Sequence, residues 1–226
     1  MTGPQWKSGR TNARLTQVEA ARALGVSQPY LSQLEKGLRL ASEKLSRKAA
    51  GLYKLPPTTL PLPGRHLRDV SPDDLQRRLA ALGYPGFEHL RAPAVSNPAE
   101  TVLDVVLKRD LDTRLVEAVP WVLNAYTDLD WVWLRDHAKL SNAQNRLGYL
   151  VHLADQVPGA TRDKHRALAA WERDIEKARL AAEGTLCRDS MPEPERAWLR
   201  TNRPEAAAHW NLLTSLSVDQ LPYADR

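Results

Sequence analysis

"LTQVEAARALGVSQPYLSQLEKG", Leu15 to Gly37, holds two short helical patterns separated by a glycine. Thr16 and Glu19 stand at capping-box spacing, so a helix is expected to start at Thr16. Gly25 tolerates the left-handed conformation that helix ends require and is expected to end it. Ser27 suits the N-cap of the next helix, with Pro29 in its first turn, where a missing N–H costs nothing. That helix is expected to reach Lys36 and to be stopped by Gly37. The turn between them is only about three or four residues, the length a helix-turn-helix needs.

Side-chain pattern separates a DNA-reading device from an ordinary helical hairpin. Ala21 is small where crossing helices approach, and Leu24, Val26, Leu31 and Leu34 supply a core. The opposite face of the second helix carries Gln28, Pro29, Ser32 and Gln33. A hairpin serving only protein contacts would place Glu and Lys there. A Gln amide instead matches adenine N6 and N7 in the major groove. Gln28 also sits at the N-terminal end of its helix, the end that recognition helices present to bases.

The charge distribution agrees. Residues 1–54 contain ten Lys/Arg and three Asp/Glu, a net of +7, while residues 55–226 contain twenty-two and twenty-four, a net of −2. The positive excess is confined to the first quarter, which suggests a polyanionic partner there. By charge alone, a solvated basic face is the slightly favoured reading.

This stretch resembles the helix-turn-helix of the Cro/C1 and Xre class of bacterial and phage repressors, and the likeness covers most of residues 10–55. The Gln heading the first helix, the small Ala, the turn Gly, the following Val and the ending "S-x-x-Y-L-S-x-L-E-x-G" fall in register. The resemblance implies that Gln17 meets a phosphate, that Gln28 and Gln33 face base edges, and that Pro29 lies against a thymine methyl. Ser27 and Ser32 would touch either, and Lys36, Arg39 and Lys44 would meet backbone phosphates. One departure concerns the preceding helix, "GPQWKSGRTNA". Trp6 is its only strong anchor and Gly9 weakens it, so a short or partly frayed helix is expected. "SEKLSRKAAGLYKL" fits the terminal helix of such a domain, with Leu45, Ala49 and Leu52 facing inward.

"LPPTTLPLPG", residues 55–64, has four prolines in ten positions. It is expected to be extended and stiff, separating a DNA-binding domain (1–55) from a larger one (65–226) through a linker at 56–64. Ser71, Pro72, Asp73 and Asp74 mark a helix start, and 84–98 reads as loop. Beyond it, Leu103, Val106, Leu107 and Leu111 form one helical stripe, and Leu115, Val119, Val122 and Leu123 a second, broken or kinked at Pro120. Trp131, Leu134 and Ala138 form a third, and Leu147, Leu150, Val151 and Ala154 a fourth. "TRDKHRALAAWERDIEKARLAAEG" reads as one long helix ended by Gly184. No sustained period-two alternation occurs, so the expected fold is all-α. "QNRLGYLVHLA", Gln144 to Ala154, resembles a helix of AbiEi-type antitoxin regulators, which pair a DNA-binding head with a larger domain.

Signals for other classes are poor. The six histidines are scattered without zinc-ligand spacing, and no phosphate-binding or nucleophile-elbow motif occurs. Asp128 and Asp130 form a D-x-D pair that a helix N-terminus explains as well as a metal does. Cys187, the single cysteine, precludes an intrachain disulfide. No run of eighteen apolar residues exists, and the N-terminus lacks a signal-type apolar segment. A reducing cytoplasm, on the nucleoid, is the expected setting. Six of the seven tryptophans lie beyond the proline segment. Trp131 and Trp133 point to different sides of one helix, so one of them is a candidate anchor for a partner or dimer interface, against the alternative of simple packing between helices.

The sequence therefore reads as a DNA-binding transcriptional regulator, expected to be a homodimeric repressor and in one version an autoregulating antitoxin, without catalytic residue, metal or cofactor. The alternative is an interaction module that neutralises a toxin protein by direct contact, with DNA binding secondary.

Overall fold

The computed structural model describes residues 1–64, 69–90, 95–158 and 160–223. The expected domain start at residue 65, His66 and part of the expected loop at 84–98 lie outside the described residues. The chain divides into two compact units, Met1–Arg65 with Ala94–Asn97, and His66–Pro93 with Pro98–Arg226. The described residues are mostly helical, with one two-stranded sheet.

The first unit is built from α1 (Gly3–Asn12), α2 (Gln17–Leu24), α3 (Gln28–Glu35) and α4 (Glu43–Tyr53). Every helix start has a side-chain cap. Thr2, Thr16, Ser27 and Ser42 accept hydrogen bonds from Gln5, Glu19, Tyr30 and Leu45 amides, each such cap contributing about 1 kcal/mol. Gly25 closes α2 at φ 75°. The expected fraying of α1 does not occur. Thr2 and Gln5 form a complete capping box, and Trp6 is 1% exposed, set edge-on to Tyr53 with centroids 6.3 Å apart. Gly9 is there for space, since a Cβ would lie 3.1 Å from the side chains of Leu55 and Tyr53. Trp6, Ala20, Ala21, Leu24, Leu31, Leu34, Ala49 and Tyr53 form the core, with Val26, Leu45 and Leu52 packed against it.

The proline segment is not a free strut. Pro57–Thr59 forms a 3-10 turn, Leu60 is buried, and Asn97 Nδ2 donates to the carbonyls of Leu60 (2.7 Å) and Thr58 (3.2 Å). Burying one leucine is worth about 1.5–3 kcal/mol, and Asn97 satisfies carbonyls that prolines leave without ladder partners.

The second unit contains α5 (Pro72–Ala81), α6 (Pro98–Val106), α7 (Thr113–Ala125), α8 (Trp131–Leu140), α9 (Gln144–Asp155), α10 (Arg162–Glu176), α11 (Glu193–Asn202) and α12 (Glu205–His209). Helix α6 is buried on every side, and its buried Asp104 is answered by Arg78, whose Nη1 donates to Asp104 Oδ2 at 2.8 Å, as a buried charge requires. Helix α9 packs against both α7 and α10. Leu111 falls beyond the end of α6, where its amide donates to the carbonyl of Cys187 at 3.0 Å. Pro120 does not break α7, which runs through it. The sequence overestimates α10, which stops at Glu176. Side chains of α9 capture the backbone that follows. Asn145 Oδ1 accepts from the Leu180 amide at 2.8 Å, Asn145 Nδ2 donates to the Leu180 carbonyl at 2.9 Å, and Gln144 Nε2 donates to the Ala178 carbonyl at 3.1 Å. Gly184 then opens β1 (Gly184–Thr185), parallel to β2 (Leu212–Leu213).

Candidate nucleic-acid interface

Helix α3 presents Gln28 and Pro29 to solvent, with Ser32 and Gln33 half-buried beside them, while Leu31 and Leu34 are sealed in the core. The face expected to read bases is thus the outward one. A linked set of polar side chains stands behind it. Arg10 grips Glu35 with two prongs, Nε to Oε1 at 2.6 Å and Nη2 to Oε2 at 3.1 Å, while its Nη1 donates to the Leu15 carbonyl at 2.8 Å. Glu35 Oε2 accepts from Gln17 Nε2 at 2.8 Å, and Gln17 Oε1 accepts from Gln28 Nε2 at 2.7 Å. The chain Arg10–Glu35–Gln17–Gln28 therefore runs from α1 through α3 and α2 to the first residue of the outward face.

Hydrogen-bond accounting shows what Gln28 still has to offer. Its amide owns two N–H donors and a carbonyl acceptor. One N–H is spent on Gln17. The second N–H and Oε1 remain, the pair that adenine N7 and N6–H₂ complement. Gln33 is placed differently, because its Oε1 accepts from Arg39 Nε at 3.2 Å. Ser27 spends its hydroxyl on the Tyr30 amide, as the cap of α3. Lys36, Arg39 and Lys44 are exposed.

Glu35 is the buried charge of this network, 8% exposed. Burial pushes its carboxyl upward, but hydrogen bonds from Arg10 and Gln17, with the Arg10 and Lys7 charges, together hold it below the usual carboxylate range. Sequence reasoning missed Arg10 and Glu35. A signal was present, since a glutamate next to the buried Leu34 stripe needs a cation, and a charged residue is almost never fully buried unpaired.

Residues 7–60 match the helix-turn-helix family model. The first unit is a helix-turn-helix domain of the kind carried by DNA-binding transcriptional regulators. No curated protein and no solved structure matches the chain. The AbiEi-type resemblance at Gln144–Ala154 has no support, and α9 is a largely buried core helix of the second unit.

The structure separates the two tryptophans. Trp131 is buried and stacks on Trp171 at 5.1 Å and 7°, and its Nε1 donates to Asp174 Oδ2 at 3.0 Å. It is an internal packing residue of α8 and α10. Trp133 is half-buried and stacks on His137 at 4.2 Å. Asp130 of the D-x-D pair caps α8, accepting from the Trp133 amide at 3.0 Å. Burial raises the Cys187 thiol to about 11, which keeps it protonated and unreactive. No helix among the described residues is long and apolar enough to cross a membrane.

Proposed function

We propose that this protein is a sequence-specific repressor that binds operator DNA as a homodimer, without catalysis or cofactor. The observation that carries the reading is the outward Gln28, braced by Gln17 and with one donor and one acceptor unspent. Specificity then comes from Gln28, Pro29, Ser32 and Gln33, and phosphate contacts from Gln17, Lys36, Arg39 and Lys44. Ser27 contributes through its position as the cap of α3.

Dimerisation follows from the number of bases one helix can reach. A single recognition helix contacts too few base pairs to choose a site among a genome of competitors. Two copies place their helices in successive major grooves about 34 Å apart. With Trp131 consumed internally, the outer side of α8, where Val132 and Leu140 stay exposed beside Trp133, is the proposed contact.

Genome-wide mapping of bound sites, followed by footprinting, tests the proposal. The expected result is an inverted repeat with half-site centres about one helical turn apart and derepression of the adjacent genes on deletion. A footprint over one half-site, from a protein that light scattering finds monomeric on DNA, overturns it. The autoregulating antitoxin version requires the protein's own promoter among those sites, beside a gene for a toxin.

A further inference from the structure

Tyr84 centres an aromatic cluster in the second unit. Its ring lies 5.6 Å from Phe87 at 57°, 5.6 Å from Trp121 at 67° and 5.7 Å from Tyr223 at 89°. Rings set steeply to one another make walls rather than a stack. Tyr84, Phe87 and Tyr223 line a cavity of about 290 Å³, together with Gly86, Arg114 and Glu117. Gly86 keeps it open. A Cβ there would lie 2.6 Å from Tyr84 Cε1 and 3.3 Å from Tyr223 Cε2, so any side chain would force the two rings apart or fill the space between them.

Glu117, on α7, is half-buried and makes no hydrogen bond or ion pair among the described residues. Burial and then the Asp112 charge push its carboxyl upward, and Arg114, one turn earlier on the same helix, only partly opposes them. A carboxylate taken partly out of water without a partner is a cost that folding does not need. Aromatic faces carry negative potential as well. Arg114 also lines the cavity, but it is exposed to solvent, which screens its charge, so the ring walls and the half-buried carboxylate favour a cation with an apolar body.

We propose that this cavity is a binding site for a small organic ammonium ion, with Tyr84, Phe87 and Tyr223 as cation–π walls and Glu117 as counter-charge. A small hard metal ion is a poor fit, because such ions require several oxygen ligands and Glu117 is the single carboxylate among the lining residues. An apolar body with a positive head matches both the rings and the acid. The proposal involves no DNA contact, so its failure leaves the operator-binding reading untouched, and the converse also holds.

The test is isothermal titration of the full chain, without DNA, using choline chloride and its uncharged tert-butyl isostere. Choline is expected to saturate at millimolar concentrations, and the isostere to bind at least about tenfold more weakly, since cation–π and charge contributions reach that size once water is displaced. Glu117→Gln, which keeps the shape and removes the charge, is expected to weaken choline about tenfold and leave the isostere unchanged. Gly86→Val is expected to abolish both without altering the circular dichroism. Absence of choline binding, equal binding of the isostere, or full choline affinity in Glu117→Gln overturns the assignment. If Gly86→Val fails to fold, the Glu117→Gln and isostere arms decide alone.

Discussion

Gln28 Nε2 donates to Gln17 Oε1 at 2.7 Å, joining the first residue of the recognition helix to the first residue of the helix before it. One hydrogen bond thereby fixes the rotamer of the side chain proposed to read a base, before any DNA arrives. Preorganisation of this kind removes part of the ordering cost of binding.

Gln28→Ala is expected to lose about 1–3 kcal/mol of discrimination between operator and mutated operator, with random-sequence binding unchanged. Gln33→Ala should behave differently, because Gln33 also holds Arg39. It is expected to lose discrimination and to weaken random-sequence binding slightly, as a freed Arg39 loses its aim at phosphate. Fluorescence anisotropy on matched and random duplexes measures both. Equal losses on the two DNAs for Gln28→Ala would contradict base reading.

Breaking the Arg10–Glu35 pair should cost stability in an acid-dependent way. Glu35 is held below its ordinary range in the folded protein, so its contribution is present above the unfolded value, about pH 4.3, and is lost as pH falls through the folded one. Glu35→Gln is expected to destabilise the first unit by about 1–3 kcal/mol at neutral pH, since it leaves the part-buried Arg10 without its counter-charge. The gap to wild type should narrow in acid. Urea melts at several pH values check it, and a gap that widens in acid would refute the assignment.

His152 predicts the opposite slope. The hydrogen bond that His152 Nδ1 donates to Glu172 Oε1, followed by that residue's charge and Asp155, raises its pKa against burial. A raised value means stabilisation that is complete below the unfolded pKa of about 6.5 and lost as pH rises through the folded value. The melting temperature of wild type relative to His152→Gln should therefore fall between mildly acidic and mildly alkaline buffer. A difference independent of pH would show that the pair carries no titrating charge.

Gly148→Ala tests the centre of the second unit. A Cβ on Gly148 would lie 2.3 Å from Cη2 and Cζ3 of Trp210, whose ring is fully buried. Neither α9 nor Trp210 has room to yield, so a loss of about 1–3 kcal/mol is expected from overpacking. Calorimetry should show the first unit's transition unmoved, and a neutral substitution would mean that Trp210 has an alternative seat.

Val132→Glu and Leu140→Glu are expected to convert the dimer to monomer while preserving the helical circular dichroism, because a charge in a desolvated contact is strongly unfavourable. Light scattering reads the mass. Intact dimers in both variants would move the two-fold contact away from α8.

Local signals in this chain carry a long way. Thr16 with Glu19, Gly25, Ser27 and Gly37 set the bounds of α2 and α3, because caps and left-handed glycines act within a turn of themselves. The outward face of Gln28, Pro29, Ser32 and Gln33 was also readable, since helix periodicity alone puts them opposite Leu31 and Leu34. What tertiary structure decided lies at sequence separations that no periodicity spans. Arg10 finds Glu35 twenty-five residues away and Trp131 finds Trp171 across two helices. Asn145 holds the Leu180 backbone thirty-five residues downstream, just past the end of a helix that helix propensity would have continued to Gly184. Each is a buried polar or aromatic group whose partner is chosen by packing. The partner's identity therefore depends on which helices become neighbours, a property of the whole fold rather than of any window of the chain.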